Sequence, residues 1–365
     1  MIIHRRRFLV TASGAVTAAA AAAVVDAPNV IAQPKIQWRL STTWPTSLDV
    51  MQGSAQRLAK LVEEATGGRF RIETFADGQI MPAFDCFPAT SQGTIEAFMA
   101  APSYWAAKEP AIEWFQTVPF GMNPEGMMAW YYEGDGLKMW EETYAPFNLV
   151  PRQGPAFSPQ MAGWFRKKIN TIGDYKGLKM RIGAGLGNKV IGKAGGAPVL
   201  IPASGIFAAL ERGVIDAAEW VGPYDDEKLG FHKIARHYYY PGWWEGGPQL
   251  SFYVNQTSWK ALPEVYRQAF EVATSEANQL MLAQYDAKNP PALLRLVGQG
   301  VKLHPYPKDV MLAARRATFK LYEEEAQTNA DFATIYRPWK AFRDTEFQWF
   351  KVAEAAYSNF NYYVK

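Results

Sequence analysis

The sequence holds a single cysteine, Cys86, in 365 residues. No internal disulfide can brace it, so stability must come from ordinary burial. Histidine is scarce too. Of the four, only His232, His237 and His304 follow the N-terminal segment, and a five-residue spacing does not stack the first two on one helical face as a metal-binding pair. A G-x-S-x-G nucleophile elbow is missing, and Cys86 has no catalytic signature around it. A dinucleotide fingerprint is missing as well. Gly183-Ala184-Gly185-Leu186-Gly187 lies between a strand pattern and a helix pattern, yet Asn188 stands where the last glycine belongs. Some twenty residues on, Ser204-Gly205-Ile206 replaces the acidic residue that would reach a ribose. The run reads instead as a flexible strand-to-helix turn near a site. Past the first residues there is no Lys/Arg-rich run, which excludes nucleic acid and anionic lipid as partners.

What is present begins with an export signal. Arg5, Arg6 and Arg7 precede Phe8-Leu9 and an Ala-rich stretch from Gly14 to Val25. The stretch falls well short of the roughly 20 residues of a membrane-crossing helix. Residues 1–32 therefore read as a removable signal peptide of twin-arginine type, with the mature chain beginning near Gln33. Its removal takes three arginines and Asp26 from a chain of formal charge +3, leaving +1. The expected compartment is the periplasm.

The mature chain alternates strand and helix patterns. Ile36, Trp38 and Leu40 alternate with polar residues. A helix is predicted from about Leu48 to Ala65, ended by Gly67-Gly68, and a strand starts again at Phe70. A second such block runs from a strand at 178–182 through helices near 188–194 and 205–211, with strands at 199–201 and 214–220; Leu250, Phe252 and Val254 alternate once more. The pattern predicts an α/β fold of two lobes around a cleft. A helix is predicted from Glu264 to about Lys288, stopped by Asn289-Pro290-Pro291, then a strand at 301–303 and helices over 308–328 and 343–360. This C-terminal helical arm is rich in aromatics, among them Trp339, Phe342, Phe347, Trp349, Tyr357 and Phe360. They pack either on their own lobe or in a dimer interface.

Polar residues at strand ends in aromatic surroundings are the candidates for a small-molecule pocket. Arg181 closes a strand, where its guanidinium can clamp a carboxylate in a fork. Glu219-Trp220 closes another. Tyr104 lies in Ser103-Tyr104-Trp105, Gln160 in Gln160-Met161-Ala162-Gly163-Trp164, and Glu245 in Pro241-Gly242-Trp243-Trp244-Glu245-Gly246-Gly247.

The run from Ile169-Asn170-Thr171 to Gly177-Leu178-Lys179-Met180-Arg181 resembles the solute-binding subunits of tripartite ATP-independent periplasmic (TRAP) transporters. The runs IDAAEWVGPYDDEKLGF (215–231) and YYYPGWWEGGP (238–248) resemble the branch that binds 2-oxo acids or lactate with a metal ion. The resemblance spans nearly the whole mature chain. It implies a two-lobed periplasmic binding protein, with 33–157 plus 249–285 as lobe I and 158–248 plus 286–365 as lobe II and the arm. It implies that Arg181 holds the solute carboxylate, that Gln160, Glu219, the Trp220 main chain and Glu245 hold the cation, that Tyr104 reaches the solute from the other lobe, and that Gln160 and Trp220 also lie against it. The solute would be a short 2-oxo or 2-hydroxy monocarboxylate, passed to membrane permease subunits, and the arm would serve a possible homodimer.

If these groups converge, one guanidinium faces two carboxylates and an anionic solute. A dry cleft does not hold that excess uncompensated, so a cation is required unless one Glu is protonated. Oxygen-only ligands suit Ca²⁺ or Na⁺ rather than zinc. Two other uses of such a site stay open: a periplasmic enzyme acting on a 2-oxo acid, and a sensory module for the same solute.

Overall fold

The computed structural model describes residues 33–183 and 185–364; the expected signal peptide lies outside them. The chain opens with β1 (Ile36–Thr42), α1 (Asp49–Ala65) and β2 (Phe70–Phe75). β1 and β2 pair in parallel with Trp38 opposite Ile72, the arrangement a strand–helix–strand unit imposes. There follow α2 (Cys86–Ser91), β3 (Ala97–Ala100), α3 (Pro124–Glu133), α4 (Gly136–Tyr144) and β4 (Leu149–Ala156).

The chain then leaves for a second sheet. It forms β5 (Gly163–Phe165), β6 (Lys179–Arg181), α5 (Leu186–Lys193), β7 (Ala197–Val199), α6 (Ala203–Glu211), β8 (Ala217–Ala218), α7 (Pro223–Leu229) and β9 (His237–Tyr240). It returns as β10 (Gln249–Asn255), which inserts antiparallel between β3 and β4. After α8 (Gln256–Ala261) and the long α9 (Glu264–Gly298), β11 (Lys302–Pro305) goes back to the second sheet beside β9. The result is a five-stranded sheet ordered β2-β1-β3-β10-β4 and a six-stranded sheet ordered β11-β9-β5-β8-β6-β7. The α/β class read from the sequence holds.

Several boundaries move, each for a local reason. The helix expected to stop at Asn289-Pro290-Pro291 continues to Gly298 with both prolines inside it. Ala292 and Leu296 beyond them are fully buried, and that packing outweighs the lost ladder bonds. The strand expected over 214–220 shrinks to two residues, because the Val214 N–H turns back to the Ala209 carbonyl to finish α6. The strand expected at 199–201 forms at 197–199, where Pro198 is tolerated because β7 is the sheet edge.

The C-terminal arm comprises α10 (Lys308–Thr328), α11 (Ala330–Val352) and α12 (Glu354–Tyr363). α11 begins thirteen residues before the predicted Arg343, because the Asn329 side chain accepts the Phe332 N–H at 2.9 Å and caps it. The aromatics divide. Trp339 is buried against Trp114, with Tyr322, Phe332 and Tyr336 around the same indole; losing one such ring costs about 3–5 kcal/mol. Trp349, Tyr357 and Phe360 are exposed. The reading that the arm packs on its own chain therefore holds for Trp339 and not for these three. Among the described residues no helix is long and apolar enough to cross a membrane.

Candidate functional site

The site is built where β6 and β8 end side by side. These strands run parallel with Arg181 opposite Ala218, so Arg181 and the next residue, Glu219, emerge together at the carboxyl ends of neighbouring strands. Backbone bonds lock the pair: the Glu219 N–H donates to the Arg181 carbonyl at 3.1 Å. Both side chains are buried. Arg181 Nη1 donates to Glu219 Oε1 at 2.6 Å and to the Glu219 carbonyl at 2.9 Å, while Nε donates to the Ile201 carbonyl at 3.1 Å. The Trp220 ring lies 4.9 Å from the guanidinium carbon. Among the described residues Nη2 is buried with no partner.

Glu245 and Gln160 come from two loops zipped together. The Gly242 N–H donates to the Gln160 carbonyl at 2.8 Å, and the Gln160 N–H to the Glu245 carbonyl at 3.2 Å. Gln160 Nε2 donates to Glu245 Oε2, which leaves Gln160 Oε1 buried and unpartnered. The other Glu245 oxygen accepts from Gln116 Nε2 at 2.7 Å, and Gln116 Oε1 accepts the Ser103 N–H at 3.0 Å.

Gln116 was not among the residues singled out from the sequence. It follows a 3-10 turn, Pro110–Phe115, in a stretch without helical or strand periodicity. The usable signal was a pair of polar residues three apart, Glu113 and Gln116, in an aromatic run.

All six sequence candidates line one cavity with about 320 Å³ of empty space: Tyr104, Gln160, Arg181, Glu219, Trp220 and Glu245. Gln116 and Gly183 complete its polar half. Trp44, Met51, Ala101, Phe157, Val221 and Leu250 make the other half apolar. It is a tight space, only about 30 Å³ of it open to the centre of a water molecule, which suits a small solute and a cation rather than a bulky ligand.

Two carboxylates share this space with one guanidinium, and their acidities show the strain. Burial pushes the Glu219 carboxyl up, opposed by Arg181 and by the Gly183 N–H, which donates to it at 2.5 Å. Glu245 rises well above the ordinary range, first by burial and then by repulsion from Glu219. Burial pushes the Tyr104 phenol up to about 12, with Arg181 pulling the other way.

The donors present fit a hard cation. They are oxygen-only, include two carboxyls whose ionisation a bound cation would favour, and include an amide oxygen on Gln160 with no partner among the described residues. A carboxylate fits the free Nη2 of Arg181.

The turn after Arg181 is held at both ends. Gly183 donates to Glu219, and the Leu186 N–H, at the start of α5, donates to the buried Glu113. Gly185 sits at φ +93°, and a Cβ there would run into the Glu113 carboxylate. A Gly185→Ala variant is expected to lose ~3 kcal/mol. Thermal unfolding should show a fall in midpoint of roughly 4 °C; a midpoint within one degree of the parent would mean the turn relaxes freely.

Of the histidines, His237 and His304 face each other across β9 and β11 with ring nitrogens 2.9 Å apart. They lie outside the cavity lining, and His232 is buried in the core beside Trp164.

Comparison with known proteins places this geometry. The family described as bacterial extracellular solute-binding protein, family 7, matches residues 40–329. A monocarboxylate 2-oxoacid-binding periplasmic protein of Nostoc sp. is 45% identical over 359 residues, 98% of each chain. A TRAP transporter solute-binding protein from Bordetella bronchiseptica, a mixed-occupancy dimer with copurified calcium and picolinate in one active site and an apo site in the other, superposes with a TM-score of 0.89. It is 43% identical, and the match covers 90% of this chain and 98% of that one. A TRAP periplasmic solute-binding protein from Pseudoalteromonas atlantica with bound sodium and pyruvate superposes with a TM-score of 0.86 at 36% identity, covering 89% of this chain and 99% of the other.

Proposed function

Since the chain belongs to family 7 of the bacterial extracellular solute-binding proteins, the binding subunits of TRAP transporters, we propose that it captures a small 2-oxo or 2-hydroxy monocarboxylate together with Ca²⁺ or Na⁺ in the periplasm. It delivers that solute to the membrane permease subunits without transforming it. The observation that carries the reading is a pair of buried, unpartnered atoms in one cavity: Nη2 of Arg181, a free donor, and Oε1 of Gln160, a free acceptor. Buried polar atoms are normally satisfied, and these two ask for an anion and a cation respectively.

The chain's own residues divide the work. Arg181, fixed on three sides, presents Nη2 to the solute carboxylate. Glu219, Glu245, Gln160 and the Trp220 main chain would hold the cation, which would supply the positive charge that offsets the second carboxylate. Gln116 fixes one oxygen of Glu245 from the other side of the cleft. Tyr104 faces Arg181 and excludes water. A 2-oxo acid, a 2-hydroxy acid and picolinate share one feature: a donor atom on the carbon next to the carboxylate. That feature, rather than the keto group itself, matches a site made of a guanidinium beside a cation.

The lobes divide as 33–157 plus 249–285 and 158–248 plus 286–365. Sheet membership supports this partition, since β1–β4 and β10 share one sheet and β5–β9 and β11 the other. The arm's last part meets the first lobe as well, α11 lying against α3 and α4. The exposed Tyr357, Phe360 and Tyr363 of α12 suit a homodimer contact. The export route is a twin-arginine signal in residues 1–32.

Thermal stability of refolded, ligand-free protein tests the core of this reading. A solute at a hundred times its dissociation constant adds about 2.7 kcal/mol, which raises the midpoint by several degrees. The expected shift requires both a monocarboxylate with a neighbouring donor and either Ca²⁺ or Na⁺, and Glu219→Gln abolishes the cation dependence. Equal shifts in a chelator-treated, sodium-free buffer and in one containing Ca²⁺ or Na⁺, or none with any such acid, would sink it.

A further inference from the structure

The cavity lining has a polar part drawn mainly from the six-stranded side and an apolar part drawn mainly from the five-stranded side. The division is not complete: Tyr104 and Gln116 join the polar part from the five-stranded side, and Val221 joins the apolar part from the six-stranded side. The groups suited to a carboxylate and a cation gather at the end of the six-stranded sheet. Resting on the solute class proposed above, the remainder of the solute has only the apolar half to enter. That half is mostly a rigid wall. Leu250 sits in β10, a central strand of the five-stranded sheet. Phe157 packs edge-on against Tyr285 of α9, 5.8 Å away between ring centres. Trp44 is a fully buried indole whose carbonyl accepts the Asp77 N–H, and Ala101 and Val221 have little to move.

Met51 is the exception. It lies in the first turn of α1 and is almost wholly buried. Its neighbour Gln52 is tied to Thr42 by a 2.6 Å hydrogen bond, which fixes the backbone, but its own unbranched thioether is free to change rotamer. We propose that Met51 is the specificity-determining residue for the length of the solute's tail: its side chain closes the apolar half over a one- or two-carbon tail and swings aside for a slightly longer one.

Titration calorimetry across pyruvate, 2-oxobutyrate, 2-oxopentanoate and 2-oxohexanoate, run in parallel with saturating Ca²⁺ and with saturating Na⁺, tests this. Met51→Ala is expected to move the affinity ratio of 2-oxohexanoate to pyruvate by at least about tenfold toward the longer acid, since each methylene placed in an apolar pocket changes affinity by roughly 10- to 200-fold. Met51→Leu keeps the volume but branches the chain. It should leave pyruvate within about threefold of the parent and weaken the longest acid by about tenfold or more. Should Met51→Ala not fold, the Leu variant decides alone. A uniform loss across the series, or unchanged ratios in both variants, would assign Met51 to the core only. If the parent protein binds none of the four acids, the solute class itself is wrong, a result distinct from unmoved ratios in a protein that does bind.

Discussion

Arg181→Ala is expected to weaken solute binding by about a thousandfold or more, the largest loss any single site residue should produce. The guanidinium donates three bonds within the protein and keeps Nη2 for the ligand. Truncation therefore removes the bond to the solute and also strands Glu219 in a buried place. Breaking one partner of a buried ion pair costs about 3–5 kcal/mol, so the variant's midpoint should fall even without solute. Arg181→Lys separates the two effects. A lysine retains the charge beside Glu219, but it cannot reproduce the planar fork that reaches Ile201, Glu219 and a ligand together. It should recover most of the stability and little of the affinity, about a hundredfold below the parent. Calorimetry at saturating cation reads the affinity, and thermal unfolding of solute-free protein reads the stability. Parent-like affinity in the lysine variant would show that the site needs only a positive charge, and the forked-clamp account would have to be abandoned.

How much of this was visible in the sequence depends on what kind of signal each residue leaves. Strand alternation around Trp38 and helical spacing over Met51 to Ala65 come from burying one face; the strand around Phe252 is buried on both, and all three elements appear where expected. Arg181 and Glu219 were legible because they end strands, and the parallel register brings those ends together. Gln160 and Glu245 were marked chiefly by their aromatic and glycine-rich loops and by the family resemblance; periodicity says nothing about two loops being zipped by backbone bonds. Glu113 and Gln116 were invisible to pattern reading. They sit in and just after a 3-10 turn, where no long period exists, and their partners are 73 and 129 residues away. Breaker rules also failed at Pro290-Pro291, because local propensity is worth a few kcal/mol and a buried face beyond the break can exceed it.

Glu113 supplies the second large effect, and its sign is fixed by burial. Its carboxyl is 3% exposed and accepts one N–H, from Leu186, while Oε1 has no partner. Desolvation raises it from 4.5 to about 8, against a smaller opposing pull from the Leu186 N–H and from Lys189; Glu325 adds slightly to the rise. Below pH 4.5 the group is protonated both folded and unfolded, and the native state keeps its full advantage. Between 4.5 and about 8 the unfolded chain has lost the proton that the native state retains, so stability falls as pH rises. Above about 8 both are ionised and the advantage is gone. The loss is on the order of 4 kcal/mol. Glu113→Gln carries no charge to desolvate, yet its amide oxygen can still accept the Leu186 N–H. Asp225, Asp226 and Glu346, raised to about 6, 7 and 7, add slopes of the same sign to parent and variant alike, so the difference between the two reports Glu113 together with the smaller push it exerts on Glu245. The variant's midpoint relative to the parent should rise steadily from pH 4.5 to 8, by ~6 °C in all, and level off beyond. Any cost of burying the extra amide N–H shifts that difference curve without tilting it. Unfolding midpoints of both proteins at half-unit steps from pH 4 to 9 settle the matter: a flat difference would return Glu113 to an ordinary carboxylate, solvated or paired, and would remove it as the buried clasp on the turn that carries Gly183 into the site.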